Sequence, residues 1–226
     1  MDRYLRNHDA IIQEEQAALA AKRVVVVGCG GLGGMVIECL ARIGVGHLRV
    51  VDGDVFEETN LNRQLLCSTM NLGRPKTLAA KQRVMAVNHL VEVDAVQADL
   101  TAENAISLLT ECDVAVDCLD NIPSRLVLQQ AAKTAGNPVV HGAVAGWLGR
   151  ICVIQPGEDL LNLLYPEAEE SQGEELQTGT LSFTAALIAS WQAAETVKLL
   201  LGKPGLHGEI LEVDLLNGSA IRLRLT

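Results

Sequence analysis

Apolar positions along the chain fall into short β-branched runs separated by stretches of helical spacing. Residues 3–20 carry an amphipathic helical pattern. The run Arg23-Val-Val-Val-Val-Gly28 then reads as a strand that stops at a glycine, and helical spacing resumes after Gly34 and continues to about Ile43. His47–Asp52 predicts a second strand and Pro75–Asn88 a helix with proline near its first turn. Glu92–Gln97 predicts a third strand, followed by a helix that Thr101 caps and that runs to Glu111. Asp113–Cys118 predicts strand four, Ile122–Ala135 a helix ended by Gly136, and Pro138–His141 strand five.

Repeated strand-helix units with short connections predict an α/β fold: a doubly wound, mainly parallel, Rossmann-like sheet with helices on both faces. After Gly142 the pattern changes. Trp147–Gln155 and Glu209–Leu215 read as strands, and Ile221-Arg-Leu223-Arg-Leu225 alternates strictly after Asn217-Gly218, the pair favoured in a type I′ hairpin turn. The expectation is an antiparallel C-terminal extension of the same sheet, with a helix over residues 181–201 packed on it. The whole of 1–226 is read as one domain: an N-terminal helix (1–20), a nucleotide-binding core (21–142) and an extension (143–226) containing a mobile loop at 157–178.

Composition narrows the function. The 226 residues carry 18 Lys and Arg against 28 Asp and Glu, a net charge of −10, which argues against nucleic acid or an anionic membrane as partner. The excess is local, since residues 151–197 hold eight acids and no Lys or Arg. Aromatics are only 3% of the chain, so an aliphatic core is expected, as in parallel sheets. No apolar run reaches the ~20 residues of a membrane span. The charged start of the sequence does not suit a signal peptide, and a cytoplasmic protein is expected. Six cysteines without any CxxC pair read as buried free thiols, not as a disulfide framework or zinc site.

The chemistry concentrates at strand ends. Gly28-Cys29-Gly30-Gly31-Leu32-Gly33 follows a strand and opens a helix, where glycines allow a tight turn and backbone N–H groups can approach a phosphate. Asp52, 24 residues after Gly28, stands where a carboxylate accepts hydrogen bonds from ribose hydroxyls. The glycine motif alone would favour NAD. Beyond Asp52, however, Asn60, Asn62, Arg63 and Gln64 gather side-chain donors, and Lys76 adds a cation at the next helix start, a supply suited to a triphosphate. The same residues could instead cap turns or carry solvated charge. Strand four ends in Asp117-Cys-Leu-Asp120-Asn121, where Asp120 could hold Mg²⁺ and Asp117 suits a structural role at least as well. None of the five histidines has partners suggestive of a catalytic triad.

The succession RYLR (3–6), GCGGLG (28–33), VVDGD (50–54), TNLNRQ (59–64), GRPK (73–76) and DCLDN (117–121) resembles the ThiF/HesA/MoeB family of sulfur-carrier adenylyltransferases, related to ubiquitin-activating enzymes. The resemblance runs from Arg3 to about Leu225. It implies ATP-dependent adenylation of the C-terminal glycine of a small ubiquitin-like carrier ending in Gly-Gly, in sulfur transfer for thiamine, molybdopterin or related products. It also implies that Gly31 and neighbouring backbone, including Gly28, Gly30 and Gly33, contact the nucleotide. Asp52 would meet the ribose, Asn60, Arg63 and Lys76 the phosphates, with Asn62, Gln64 and Asn121 beside them, and Asp120 Mg²⁺. Arg6 would reach the ATP of the partner in a homodimer.

Two departures from the family pattern follow. Where many members have the first of two zinc-binding CxxC pairs, this sequence reads Glu158-Asp-Leu160-Leu-Asn-Leu163, so no zinc is expected. Where the thiamine branch has a cysteine for a covalent carrier link, the alignment places Glu175, leaving Cys67 and Cys152 as substitutes, although buried thiols suit them better. The competing functions are an NAD-dependent oxidoreductase, a relative acting on tRNA and a non-catalytic scaffold. Against the first stands the lack of a catalytic acid and substrate site, against the second the acidic balance, and against the third the complete nucleotide set.

Overall fold

The computed structural model describes residues 2–166 and 178–224. Eight strands, β1 (Arg23–Val27), β2 (His47–Val51), β3 (Glu92–Val96), β4 (Val114–Asp117), β5 (Val139–Ala145), β6 (Leu148–Ile154), β7 (Glu209–Asp214) and β8 (Ser219–Arg224), form one sheet in the order β3-β2-β1-β4-β5-β6-β7-β8. Strands β3 to β5 across that order pair in parallel, and β5 to β8 pair antiparallel. The mainly parallel sheet with its antiparallel extension is therefore the one expected. Between β1 and β4 the strand order reverses direction, and at such a point the connections on either side diverge and leave a crevice at the carboxyl ends.

Alternation along β1 sets two cores. Val24 and Val26 face a layer made by α2 (Gly31–Ile43), α3 (Lys76–Val87) and α7 (Ser182–Leu200). Val25 and Val27 face α4 (Ala105–Leu109), α5 (Ile122–Ala135) and α6 (Leu160–Leu164). A strand buried on both faces needs unbroken apolar sequence, which explains the four consecutive valines. Gly136 ends α5 in the left-handed region, φ 79°, as the sequence predicts.

Several local expectations are corrected. The N-terminal pattern is not one helix: a 3₁₀ turn over Asp2–Asn7 is separated from α1 (Gln13–Leu19) by Asp9 at φ 74°, which no α-helix accommodates. Thr101 does not cap a long helix. Asn104 Oδ1 accepts from the Thr101 N–H, and α4 begins only at Ala105. The β7–β8 connection is a four-residue loop, not a two-residue turn, because Asp214 accepts from the amides of Leu216 and Asn217 and draws both into it. Within 157–166, α6 is fastened to α5 by the Leu161 N–H to Gln129 Oε1 (2.7 Å) and by Lys133 to Asp159 (2.6 Å). Five residues are too few to show periodicity in sequence. The rest of the expected loop, 167–177, lies outside the described residues, as do Glu175 and Leu225.

Glu38 ties α2 to α3 by accepting from Arg83 Nε and Nη2, both at 2.8 Å, and also accepts from Arg42 on its own helix. Burial pushes its carboxyl up, but the hydrogen bonds from Arg83 and Arg42 outweigh burial and hold it below the ordinary value of 4.5. A depressed carboxylate contributes stability that is present above its unfolded value and lost as pH falls through the folded one. Glu38→Gln is expected to cost about 1–2 kcal/mol at neutral pH, both arginines being half-exposed and screened. In urea titrations the gap to wild type should close as pH falls below 4.5.

Candidate functional site

At the β1/β4 reversal a cavity of about 810 Å³ opens over the carboxyl ends of β1, β2 and β4. A volume of this order suits a nucleotide-sized ligand. Its base is the turn from β1 into α2. Gly28 holds φ 96°, and a Cβ on Gly33 would collide with the Gly28 carbonyl, so the helix starts directly at the strand end. Gly30 and Gly31 line the cavity beside the first turn of α2. Unpaired amides and the helix dipole make that turn favourable for an anion.

Acids and cations face one another across this turn. Asp52 Oδ2 accepts from the Cys29 N–H at 2.7 Å, and Oδ1 accepts from the Asp54 N–H at 2.8 Å. Burial pushes Asp52 above its ordinary value, opposed by the Cys29 amide and Lys76. Lys76 is buried at the start of α3, with Nζ 2.7 Å from Asp54 and 4.0 Å from Asp52. Arg63 Nη1 donates to the Thr59 carbonyl (2.9 Å) and to Asn62 Oδ1 (2.8 Å). Beside it, Gln64 buries Oε1 without a partner among the described residues, an orphaned polar atom in the cavity wall. Asn121 Oδ1 caps α5 by accepting from the Ser124 N–H, and its Nδ2 donates to the exposed Asp120 at 3.3 Å.

A model of the ThiF family matches residues 2–226. The chain belongs to the ThiF family. It is 37% identical over 219 residues to the SAMP-activating enzyme E1 of Haloferax volcanii, covering 95% of this chain and 81% of that protein. It is equally 37% identical over 235 residues to a sulfur carrier protein adenylyltransferase of Thermus thermophilus, covering 99% and 86%. Among solved structures, E. coli MccB with ATP superposes with a TM-score of 0.80 at 20% identity, over 100% of this chain and 72% of that one, a likeness of fold.

This ThiF-family cavity brings together most residues singled out in the sequence: Gly28, Gly30, Gly31, Asp52, Asn62, Arg63, Gln64, Lys76, Asp120 and Asn121. Three stand outside its lining. Gly33 is packed on Gly28. Asn60 is buried with Oδ1 accepting from the Glu57 N–H at 3.0 Å, closing its own 3₁₀ turn. Arg6 is exposed at the far end of the molecule, where neighbouring Tyr4 accepts from Asn88 Nδ2 at 2.8 Å, beside the C-terminus of α2. Sequence reading missed Asp99, Ser124 and Thr180 in the wall. Ser124 could have been found from the Asn121 cap three residues earlier; Asp99 and Thr180 follow no motif and arrive only through folding.

The cysteine substitutes for a covalent link fare differently from one another. Cys152 is fully buried in β6 and pushed up to about 12 by that burial, so it stays a thiol at neutral pH and is set aside as a nucleophile. Cys67 is only partly buried, and its thiol is also raised. Cys29 and Cys118 are buried and raised well above the ordinary thiol value. Among the described residues no group of three or more His, Cys, Asp or Glu is placed to hold a metal, and no helix is long and apolar enough to cross a membrane.

Because the Gly33 position meets backbone and not a flexible side chain, Gly33→Ala is expected to cost about 2 kcal/mol or more in urea denaturation. It should also weaken ligand binding in the cavity, read by calorimetry.

Proposed function

We propose that this chain adenylates the C-terminal glycine of a small ubiquitin-like sulfur-carrier protein, consuming ATP and releasing pyrophosphate. The observation that carries the reading is one cavity holding a ribose-type acid, Asp52, together with Arg63, Lys76 and the glycine turn. The names of the two relatives at 37% identity support the reaction and its acceptor class. An oxidoreductase reading gives no role to Arg63 and Lys76 gathered beside the glycine turn.

The chemistry needs no general base. A terminal carboxylate, with an ordinary pKa of about 3.5, is ionised at neutral pH and attacks the α-phosphorus, forming a carboxyl-phosphate bond as the bond to the β-phosphate oxygen breaks. What remains for the protein is alignment and compensation of charge on the leaving pyrophosphate. Arg63 and Lys76 are suited to the phosphates, Asp52 to the ribose hydroxyls through its remaining lone pairs, and Gln64, Asn62 and Asn121 to the rim of the polyphosphate. Four carboxylates in the wall, Asp52, Asp54, Asp99 and Asp120, stand against two cations, so a polyphosphate needs an accompanying cation there. Mg²⁺ fits that donor set, since it is commonly held by one or two carboxylates plus phosphate oxygens, and Asp120 is the exposed candidate. Bound Mg²⁺ would offset phosphate charge. A zinc-free protein and a cytoplasmic location belong to the same reading, as does a single adenylation domain.

Arg6 enters through the dimer. Within one chain the 13 residues of α2 separate its neighbourhood from the glycine turn by about 20 Å at ~1.5 Å per residue, so it does not serve its own cavity. A two-fold dimer could set each Arg6 over the partner's nucleotide.

Lys76→Ala should weaken ATP far more than adenosine in calorimetric titrations, and ATP should bind more tightly than NAD to the unmodified chain. Tighter NAD binding sinks the adenylation reading. Mixing inactive Arg6→Ala with inactive Asp120→Ala should restore carrier-dependent ATP-pyrophosphate exchange to about a quarter of wild type, from the one intact site of each mixed dimer. No recovery after demonstrated subunit exchange places Arg6 outside the reaction.

A further inference from the structure

Below the cavity, four polar side chains remain that adenylation as described leaves unused. Asp117, at the end of β4, and His141, paired with it across β5, are fully buried, and Arg125 on α5 is 2% exposed. His141 Nδ1 lies 2.7 Å from Asp117 Oδ2, and the Tyr165 hydroxyl lies 3.4 Å from His141 Nε2. Arg125 Nη1 donates to that hydroxyl at 3.4 Å, while Nε and Nη2 donate to the Leu119 carbonyl at 3.1 and 2.7 Å. The Leu119 N–H donates to Asp117 Oδ1 at 3.0 Å. The circuit closes on itself around one residue.

Its donor and acceptor roles are consistent throughout. Burial pushes His141 below its ordinary value against the pull of Asp117, and burial raises Tyr165, so both are neutral at physiological pH. A neutral His141 donates from Nδ1 to the carboxylate and accepts at Nε2 from the tyrosine, whose oxygen accepts from Arg125. Asp117 and Arg125 both act on residue 119, Asp117 on its amide and Arg125 on its carbonyl. Leu119 lines the cavity, and the next residue is Asp120.

We propose that His141 and Tyr165 are positioning residues for the nucleotide site: with Asp117 and Arg125 they lock residue 119 from both sides and thereby aim the Asp120 carboxylate into the cavity. The purpose of the lock rests on the reading of Asp120 as the side chain that meets nucleotide-bound Mg²⁺. Tyr165 makes the arrangement dependent on α6, because it directly follows that helix and brings its hydroxyl to the ring from a different layer element than β4 or α5. Its aromatic ring also packs edge-on to His141, centroids 6.1 Å apart, with the Arg125 guanidinium 5.9 Å from its centre.

Tyr165→Phe removes the bridging hydroxyl while keeping the ring, and His141→Phe breaks the circuit at the next member. In the full chain without ligand, amide hydrogen exchange at residues 119–121 should accelerate about three- to tenfold in Tyr165→Phe, because losing the hydroxyl's two bonds, to His141 and from Arg125, loosens the hold on residue 119 by about the worth of one hydrogen bond. Calorimetry should show affinity for ATP with Mg²⁺ falling by a similar factor, affinity for ATP in chelator unchanged, and the melting temperature nearly so. Unaltered exchange at 119–121 overturns the lock. Equal losses with and without Mg²⁺ overturn the aiming of Asp120 and leave a structural role only. If the wild-type chain binds no ATP, the nucleotide reading and the aiming fail together, while exchange still decides the lock by itself. His141→Phe should reproduce the exchange result, and a discordant His141→Phe removes His141 from the circuit.

Discussion

The contact between Gly33 and the carbonyl of Gly28 leaves no room for a Cβ, and the geometry of the site depends on it. With that approach α2 begins at the end of β1 and presents its first turn to the cavity; with any side chain there the helix would have to start further out. Cys29 extends the same constraint to the next strand. Its amide donates to Asp52, which fixes the acid at the end of β2 relative to the turn at the end of β1. Strand pairing between β1 and β2 and this single bond hold the Asp52 carboxylate and the amides of the glycine turn at a fixed separation.

A second constraint comes from α7. Gln192, fully buried, donates to the carbonyls of Asp117 (2.8 Å) and Val140 (3.2 Å), and so joins the end of β4 to the start of β5 from the α7 layer. A buried backbone carbonyl such as that of Asp117, the last residue of β4, needs a hydrogen-bond partner, and Gln192 supplies one. Asp117 is thus held through its backbone by α7 and through its side chain by His141 and Leu119. The loop carrying Asp120 leaves from a strand end fixed on both faces, which sets that exposed carboxylate at a defined place in the cavity wall.

Charge in the cavity wall is paired within the chain. Lys76 rests on Asp54 and Asp52, and Arg63 on its own loop carbonyl and Asn62. Both cations are already satisfied, so the buried Lys76 is not left as an unpaired charge, which is costly.

Much of this was legible in the sequence, for identifiable reasons. The four valines of β1, the glycine turn, Asp52 and the order of strands and helices are local signals, because doubly buried strands and tight turns constrain their own residue types. They determined the fold class, the cavity's place and most of its lining. Tertiary structure decided what depends on distant chain segments meeting. It turned Asn60 inward to its own 3₁₀ turn, set Arg6 at the far end of α2, buried Cys152 and brought Asp99 and Thr180 into the wall. The ring around Leu119 draws residues 117, 125 and 141 from three elements and 165 from just beyond α6, and no periodicity or motif records that they touch. A sequence fixes which groups are available and how each local segment folds; which buried polar group meets which is settled only by the packing of the layers.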